Sequence, residues 1–308
     1  MTLPLPEFND QQIRDARSSK NPVSPEIPYA FLNETEASAA GIPTEVSTIF
    51  LTNRECPFHC LMCDLWKNTL DETLMPGMIP QQIEYALNRL PPARQIKLYN
   101  SGNFFDPKAV PPADFPAIAN LTQQFERVIV ENHPLLCQQT CVEFQQMISG
   151  QLEIALGLET IHKEVLRALN KKMTLDDFSK AVEFLRKHSI PVRAFILLKP
   201  PFMEEQAGVE WAIRSVEYAF SLGVECCSLI PTRAGNGILE QLQRRGQFAP
   251  PQLTSIETTL ETCLNLKQGR VLMDLWNLEQ QYQHEANLEH RLERLRQMNL
   301  SQKVPDTK

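Results

Sequence analysis

Short apolar runs alternate with amphipathic stretches along most of this chain. Val46 to Thr52 is short, rich in β-branched residues and followed by a polar loop, so it reads as a buried strand. Gln95 to Tyr99, Arg127 to Glu131, Leu152 to Leu158, Val192 to Leu198 and Val224 to Ile230 read the same way. Helical periods lie between them. Ile79 to Leu90 has Pro80 at an early helical position and Ile83, Ala86, Leu87 and Leu90 on one face. Pro112 to Phe125, Leu135 to Ser149 and Glu204 to Leu222 are further helices. Thr174 opens another, with Asp177 three residues on as in a capping box and Leu175, Phe178, Val182 and Leu185 as its apolar stripe. Six strand–helix units imply an α/β fold with a parallel sheet and right-handed crossovers.

The flanks differ. Residues 1–45 are rich in proline and polar side chains without a sustained period, which predicts an irregular arm or cap against the first strand. Residues 46–235 form the β/α core. Residues 236–308 read as a mainly helical extension: Pro251 to Leu266 and Leu278 to Met298 are helical, and Gly269 to Trp276 is a short strand or buried turn. Leu288, Leu292 and Leu295 face one way among many charges, and the residues after Ser301 are expected to fray.

Composition narrows the class. At 308 residues the chain suits one large α/β domain with or without an extension, and 43% hydrophobic with 22% charged residues is ordinary for a soluble protein. Met1 to Glu7 lack the basic and apolar regions of a secretory signal, and no apolar run approaches bilayer-spanning length. Eight cysteines, three of them clustered, fit a reducing cytosol, so a cytoplasmic protein with no membrane contact is expected. The net charge of −7 disfavours general phosphate binding, although a local basic patch would still accommodate RNA.

Candidate chemistry centres on Cys56-Pro57-Phe58-His59-Cys60-Leu61-Met62-Cys63, a C-x3-C-x2-C cluster directly after the first strand. A short loop gathers soft ligands with little loss of chain entropy, and parallel α/β barrels place active sites at this end of their strands. Three thiolates on a four-iron cluster leave one iron open for a further ligand. The alternatives are a zinc site with His59 as fourth ligand, or buried thiols.

This spacing after a first strand resembles the radical S-adenosylmethionine (SAM) superfamily, with Met62 standing where an aromatic residue is usual. The resemblance implies a partial (β/α)6 TIM-like barrel, with Cys56, Cys60 and Cys63 ligating a 4Fe-4S cluster whose open iron takes SAM. Asn100-Ser101-Gly102-Asn103-Phe104 is similar to the segment that binds the amino group of SAM, in the Ser-Gly-Ser/Asn-Phe form of a tRNA-modifying branch, which marks Ser101, Gly102 and Asn103. Gly157-Leu158-Glu159-Thr160 is similar to a segment of the Elongator catalytic subunit and its relatives; Glu159 would accept ribose hydroxyls, or else be an acid at a helix N-terminus. Ile230 lies where family backbone contacts hold adenine. Across Val46 to Gly235 the pattern is most similar to the family of archaeosine synthase radical SAM subunits and their bacterial relatives. No acetyltransferase domain or methylthiotransferase RNA-binding module is recognised, which puts those two activities in doubt.

The expected function is reductive cleavage of SAM to a 5′-deoxyadenosyl radical that abstracts hydrogen from a modified nucleoside in tRNA. A small-metabolite substrate, or a non-catalytic iron–sulfur or zinc protein, is the alternative. Expected partners are a flavodoxin- or ferredoxin-like reductant and tRNA. Glu131 would line the barrel mouth, and His133 is an acid, a hydrogen-bond donor or a solvated loop histidine; Asn170-Lys171-Lys172-Met173-Thr174 is similar to a loop of the same branch, and its lysines form a solvated turn or meet SAM or a polyanionic substrate. Lys199 and Arg233 are substrate-binding or surface residues. Cys137 and Cys141, four apart on a helix face, read as buried thiols or a pair of metal ligands, and Cys226 and Cys227 point to opposite faces of a strand and would not share one metal.

Overall fold

The computed structural model describes residues 5–305; the readings at Met1–Pro4 and at residues 306–308 fall outside them. One sheet of eight strands runs in chain order. The strand β1 (Ala30–Ala37) pairs antiparallel with β2 (Pro43–Phe50). Then β3 (Gln95–Tyr99), β4 (Arg127–Asn132), β5 (Gln151–Glu159), β6 (Val192–Leu198), β7 (Cys226–Pro231) and β8 (Arg270–Met273) add in parallel, one after another. The helices are α1 (Asp10–Asp15), α2 (Met78–Leu87), α3 (Phe115–Leu121), α4 (Gln139–Met147), α5 (Lys163–Ala168), α6 (Leu175–Lys187), α7 (Glu205–Ser221), α8 (Ile238–Arg244), α9 (Leu253–Asn265), α10 (Leu278–Gln281) and α11 (Leu288–Ser301).

The sheet curls. In a flat sheet β1 and β6 would lie roughly 24 Å apart at about 4.8 Å per strand, yet Arg193 of β6 bonds Glu36 of β1 at 2.5 Å. The rings of Tyr99 on β3 and Phe195 on β6 meet at 6.1 Å, also across the inner face. The result is an open half-barrel of the radical SAM type, a partial TIM barrel. Outward-facing Ile96, Leu98, Val128, Val130, Leu152, Ile154, Ala194 and Ile196 are fully buried and belong to the main core, with α2, α4, α6 and α7 supplying its other wall.

The expected six parallel strands are β2 to β7; β1 and β8 extend them on either side. Ala30–Ala37 escaped notice because its sequence alternates without a buried face: only its last residues, Glu36 and Ala37, are buried. Short helices α1, α5 and α8 were also unforeseen. The helix expected over Leu278 to Met298 is broken into α10 and α11, with Asn287 in left-handed conformation before the second.

The sheet ends in two edge strands, β1 and β8. The helix α11 packs against both β1 and β8. Its Asn299 amide bonds Met273 N and O, both at 2.8 Å, and Gln302 does the same for Val271 at 2.8 and 2.9 Å. Two side chains thereby stand in for a missing neighbour strand, which covers an edge that would otherwise pair with another chain. Gln302 is held rather than frayed for this reason. Arg270 Nη1 also donates to Ala37 O at 3.1 Å, linking β8 to β1 at the floor.

That floor is a charged layer inside the barrel. Lys97 bonds Glu34 and Glu36 at 2.9 and 2.5 Å, Arg193 bonds Glu36 and Glu153 at 2.5 and 2.7 Å, and Arg270 bonds Glu153 at 3.1 Å. Burial opposes the charge of Glu153, but Arg193, Arg270 and Arg127 hold its carboxyl down at about 2. Cys226 pairs in register with Arg193, while Cys227 and Cys263 lie in the outer apolar core, as the strand period requires.

Candidate active site at the barrel mouth

Strand ends of a parallel sheet converge on one rim. At that rim β3, β5 and β6 each end in a left-handed residue: Ser101 (φ 52°), Glu159 (φ 64°) and Lys199 (φ 53°). Non-glycine residues reach this region only at a cost of about 1–3 kcal/mol, and such strain clusters at functional sites.

The cysteine loop is anchored on several sides. Gln82 of α2 bonds both N and O of Thr52 at 2.8 Å, which fixes the chain as it leaves β2. Leu70 bonds back to Asn53 O and Glu55 N at 2.8 and 2.9 Å, closing the loop. Within it, Asn170 donates to His59 O at 2.7 Å, Asn236 to Leu61 O at 2.6 Å and Trp66 to Cys63 O at 3.1 Å. The helix α1 lies outside: Arg17 and Lys20 bond Glu55 at 2.6 and 2.8 Å, and Arg17 stands over the Trp66 ring at 4.7 Å.

Burial pushes the Cys56 thiol up to about 11 and those of Cys60 and Cys63 to about 12, and each feels a neighbouring cysteine in the set. Bare, they are protonated; a coordinating metal would deprotonate them. Among the described residues no three His, Cys, Asp or Glu side chains converge as ligands of a single ion do. A cubane takes its thiolates on three separate irons and does not ask for that convergence. His59, the fourth ligand of the zinc alternative, faces Asp10 at 3.6 Å, Glu55 at 3.8 Å and Arg14 at 3.3 Å. The three thiols therefore fit a cluster as donors, with a cation nearby. Lys171 lies within electrostatic reach of all three.

Lys171 is not in a solvated turn. It is buried and bonds Glu159 at 2.7 Å; burial opposes its charge, but the Glu159 carboxylate keeps it protonated above the usual range. Gly157 makes room for this pair, since a Cβ there would lie 2.2 Å from Glu159 Oε1 and 2.3 Å from Lys171 Nζ. Lys172 does fit the solvated reading, half exposed at 3.2 Å from Asp10. His133 is likewise buried rather than solvated. Its ring stacks on Phe58 at 3.8 Å and its Nε2 lies 3.0 Å from Lys171 O; burial and the Lys171 cation push it down to about 3.

On the other side of the loop, Asn103 Nδ2 donates to Cys56 Sγ at 3.1 Å, and a Cβ on Gly102 would lie 3.3 Å from Cys56 Cβ. Glu131 Oε1 accepts from the backbone N–H of Asn100 at 2.7 Å and Gly102 at 3.2 Å. Burial pushes the Glu131 carboxyl up to about 7 against those amides. Ser101 Oγ meets Tyr29 OH at 2.9 Å. Ile230 joins the apolar patch that includes Leu61 and Met62. The structure thus brings Ser101, Gly102, Asn103, Glu159 and Ile230 to the rim that carries Cys56, Cys60 and Cys63. Lys199 is instead committed to Glu205 at 2.5 Å, and Arg233 to Asp274 at 3.0 Å. Cys137 and Cys141 are neighbours around the start of α4, with Cys141 in the core.

Sequence reasoning missed Tyr29, Asn170 and Asn236. Asn170 is a left-handed residue before a lysine pair and Asn236 lies between two glycines, and both patterns signal a fixed turn. Tyr29 gave no signal, because it reaches the rim through the antiparallel strand that follows it.

No family model matches the chain. Comparison with solved structures shows that it has the fold of the radical SAM superfamily. A radical SAM methyltransferase from Sphaerobacter thermophilus superposes with a TM-score of 0.54 and 16% identity over 82% of this chain and 77% of that one. Methylornithine synthase gives 0.52 at 12% identity over 98% and 95%. In sequence the chain is a distant homologue of archaeosine synthase subunit beta. The Methanosarcina acetivorans protein of that name is 29% identical over 232 residues, 70% of this chain and 66% of that relative. The one from Thermococcus kodakarensis is 29% identical over 256 residues, 78% and 79%. An uncharacterised Methanocaldococcus jannaschii protein is 26% identical over 225 residues, 68% and 62%. The chain thus spans just under two thirds of the first and last of these relatives. No helix among the described residues is long and apolar enough to cross a membrane.

Proposed function

We propose that this chain is a radical SAM enzyme with Cys56, Cys60 and Cys63 as ligands of a 4Fe-4S cluster, acting on a modified nucleoside in tRNA. The observation that carries this is the gathering of three thiols, Cys60 buried and Cys56 and Cys63 half-buried, beside Lys171–Glu159 and Asn103 at the mouth of a radical SAM-type barrel. When bound, the cluster supplies the electron that cleaves SAM reductively. The chain's own residues do the rest. Asn103 orients Cys56 through its amide, and the Lys171 cation lowers the potential energy of negative charge on the loop. Ser101, Gly102, Asn103 and Glu159 would bind SAM, Glu159 by accepting from ribose hydroxyls, with Ile230 against the adenine. The α1 strap and the apolar patch around Leu61 exclude water from the loop. The name of the similar protein, archaeosine synthase subunit beta, supports a nucleoside as substrate and a partner subunit for this chain. A flavodoxin- or ferredoxin-like reductant in the cytoplasm would supply the electron.

The test is 5′-deoxyadenosine formation by the anaerobically reconstituted chain with dithionite and SAM, beside Cys60→Ala. Product that requires Cys60 supports the reading; zinc in place of iron in anaerobically isolated protein overturns it.

A further inference from the structure

Five cysteines lie outside the C-x3-C-x2-C loop. Cys226, Cys227 and Cys263 are sealed in the interior, whereas Cys137 and Cys141 stand side by side behind the mouth. Both sulfurs lie against carbonyls of one short turn around Pro134–Leu136: Cys137 Sγ is 3.9 Å from His133 O, and Cys141 Sγ is 3.9 Å from Leu136 O. The turn is itself closed by Leu136 N to His133 O at 2.9 Å and Cys137 N to Pro134 O at 3.1 Å. Backbone thus holds the two thiols together, within hydrogen-bond range of each other. Among the described residues no third Cys, His, Asp or Glu joins them as a metal ligand.

Their surroundings differ. Cys141 is fully buried in the first turn of α4, where the Cys137 S–H and then the amides of Gln138 and Cys141 hold its thiol below the usual range against burial. Cys137 is half-buried beside Leu135, which is 41% exposed, so a reagent from solvent meets Cys137 first. We infer that Cys137 and Cys141 are a redox-active dithiol, which a small-molecule disulfide oxidises to a reversible intramolecular disulfide. The reaction balances through a mixed disulfide. The pair gives up one proton and shares the other, which moves to Cys141 as Cys137 Sγ attacks one sulfur of the incoming disulfide. The first thiolate leaves and takes up the released proton. Cys141 then attacks Cys137 Sγ, and its proton follows the second thiolate. Two protein thiols lose two electrons and two protons, and the small disulfide gains them as two thiols.

Reversibility follows from the short span. A bridge across four residues removes little loop entropy from the unfolded chain, so it gains less stability than a long-range disulfide and is more easily reduced. The location gives the pair a bearing on the mouth. Cys137 Sγ lies 3.7 Å from Asn132 Nδ2, and the ring of His133 stacks on Phe58, between Cys56 and Cys60. Oxidation therefore moves a sulfur that stands one side chain behind the cysteine loop. The dithiol chemistry itself goes beyond the radical SAM reading and does not depend on it.

The test incubates the full-length chain, reconstituted anaerobically, with mixtures of reduced and oxidised glutathione. Samples are quenched in acid, alkylated in denaturant and mapped by peptide mass spectrometry. The peptide that carries Cys137 and Cys141 is expected to lose both alkylation sites together and to weigh two hydrogens less, and reduced glutathione should restore it. Cys226, Cys227 and Cys263 should stay fully alkylated. Cys141→Ser should stop at a glutathione adduct on Cys137, and Cys137→Ser should give neither product; circular dichroism of both variants confirms that they fold. Free thiols at both positions in oxidised glutathione alone would overturn the assignment. So would a native chain that stops at the adduct, a disulfide that forms only in unfolded protein, or protection from alkylation that a chelator lifts.

Discussion

At the floor of the barrel Arg193 lies between Glu36 and Glu153, and Arg270 bridges Glu153 to the Ala37 carbonyl. At the mouth, by contrast, Glu131 faces backbone amides, His133 lies between a ring and a carbonyl, and the thiols of Cys56, Cys60 and Cys63 share one lysine that Glu159 already holds. Both ends draw ionisable groups from the same strands: Glu131 lies four residues beyond Arg127 on β4, and Glu159 six beyond Glu153 on β5. The floor pairs its carboxylates with Lys97, Arg193 and Arg270, which hold Glu153 well below the ordinary carboxylate range. The mouth pairs Lys171 with Glu159 but gives Glu131, His133 and the thiols no opposite charge of their own, and Ser101, Glu159 and Lys199 add left-handed backbone there. One end of the sheet is finished as structure, and the other is prepared for ligands.

The largest expected effect breaks the floor. Arg193→Met leaves Glu36 and Glu153 without their central partner and should destabilise the chain by about 3–5 kcal/mol in denaturant unfolding. The pH dependence has a definite sign. Glu153 is held at about 2, below its ordinary 4.5, so its contribution is present above 4.5 and lost as pH falls toward 2. Urea midpoints for the native chain should therefore drop between pH 5 and pH 3.

Glu131 runs the other way. Its carboxyl is raised from 4.5 to about 7, so its contribution is present below 4.5 and lost as pH rises through 7. Glu131→Gln keeps the acceptor for Asn100 and Gly102 and should stabilise the chain at pH 8 by up to about 3 kcal/mol, with little change at pH 4. An equal effect at both pH values would mean that the mouth is matched like the floor.

The edge gives a smaller effect. Asn299→Ala removes both bonds to Met273 and should cost about 1–2 kcal/mol in chemical unfolding, with more self-association as β8 is uncovered. Smallest is Lys172→Ala, whose exposed pair with Asp10 should shift stability by less than about 0.5 kcal/mol. That contrast with its buried neighbour Lys171 sharpens the comparison within two residues.

Much of the mouth was legible because its parts are local. The cysteine spacing, the Ser101-Gly102-Asn103 turn and Gly157-Leu158-Glu159 each follow a strand whose hydrophobic period is plain, and Thr174 with Asp177 forms the expected capping box. The floor was not legible. A single Lys97, Glu153 or Arg193 inside an apolar strand signals an inward charge, yet its partner lies far along the chain: Glu36 is 157 residues from Arg193. The solvated readings of His133 and Lys171 fail for the same reason, since their burial comes from Phe58 and Glu159 on other strand ends. The weakly alternating Ala30–Ala37 becomes a strand only because β2 offers it an edge.

The central claim is that three thiolates at the mouth hold a cluster with one iron left open to SAM. Electron paramagnetic resonance of the reduced, reconstituted chain, recorded without and then with SAM, tests it most directly. The account predicts a 4Fe-4S signal that SAM shifts and that Cys60→Ala lacks; a cluster signal that SAM leaves unchanged, or one that survives in Cys60→Ala, would contradict it.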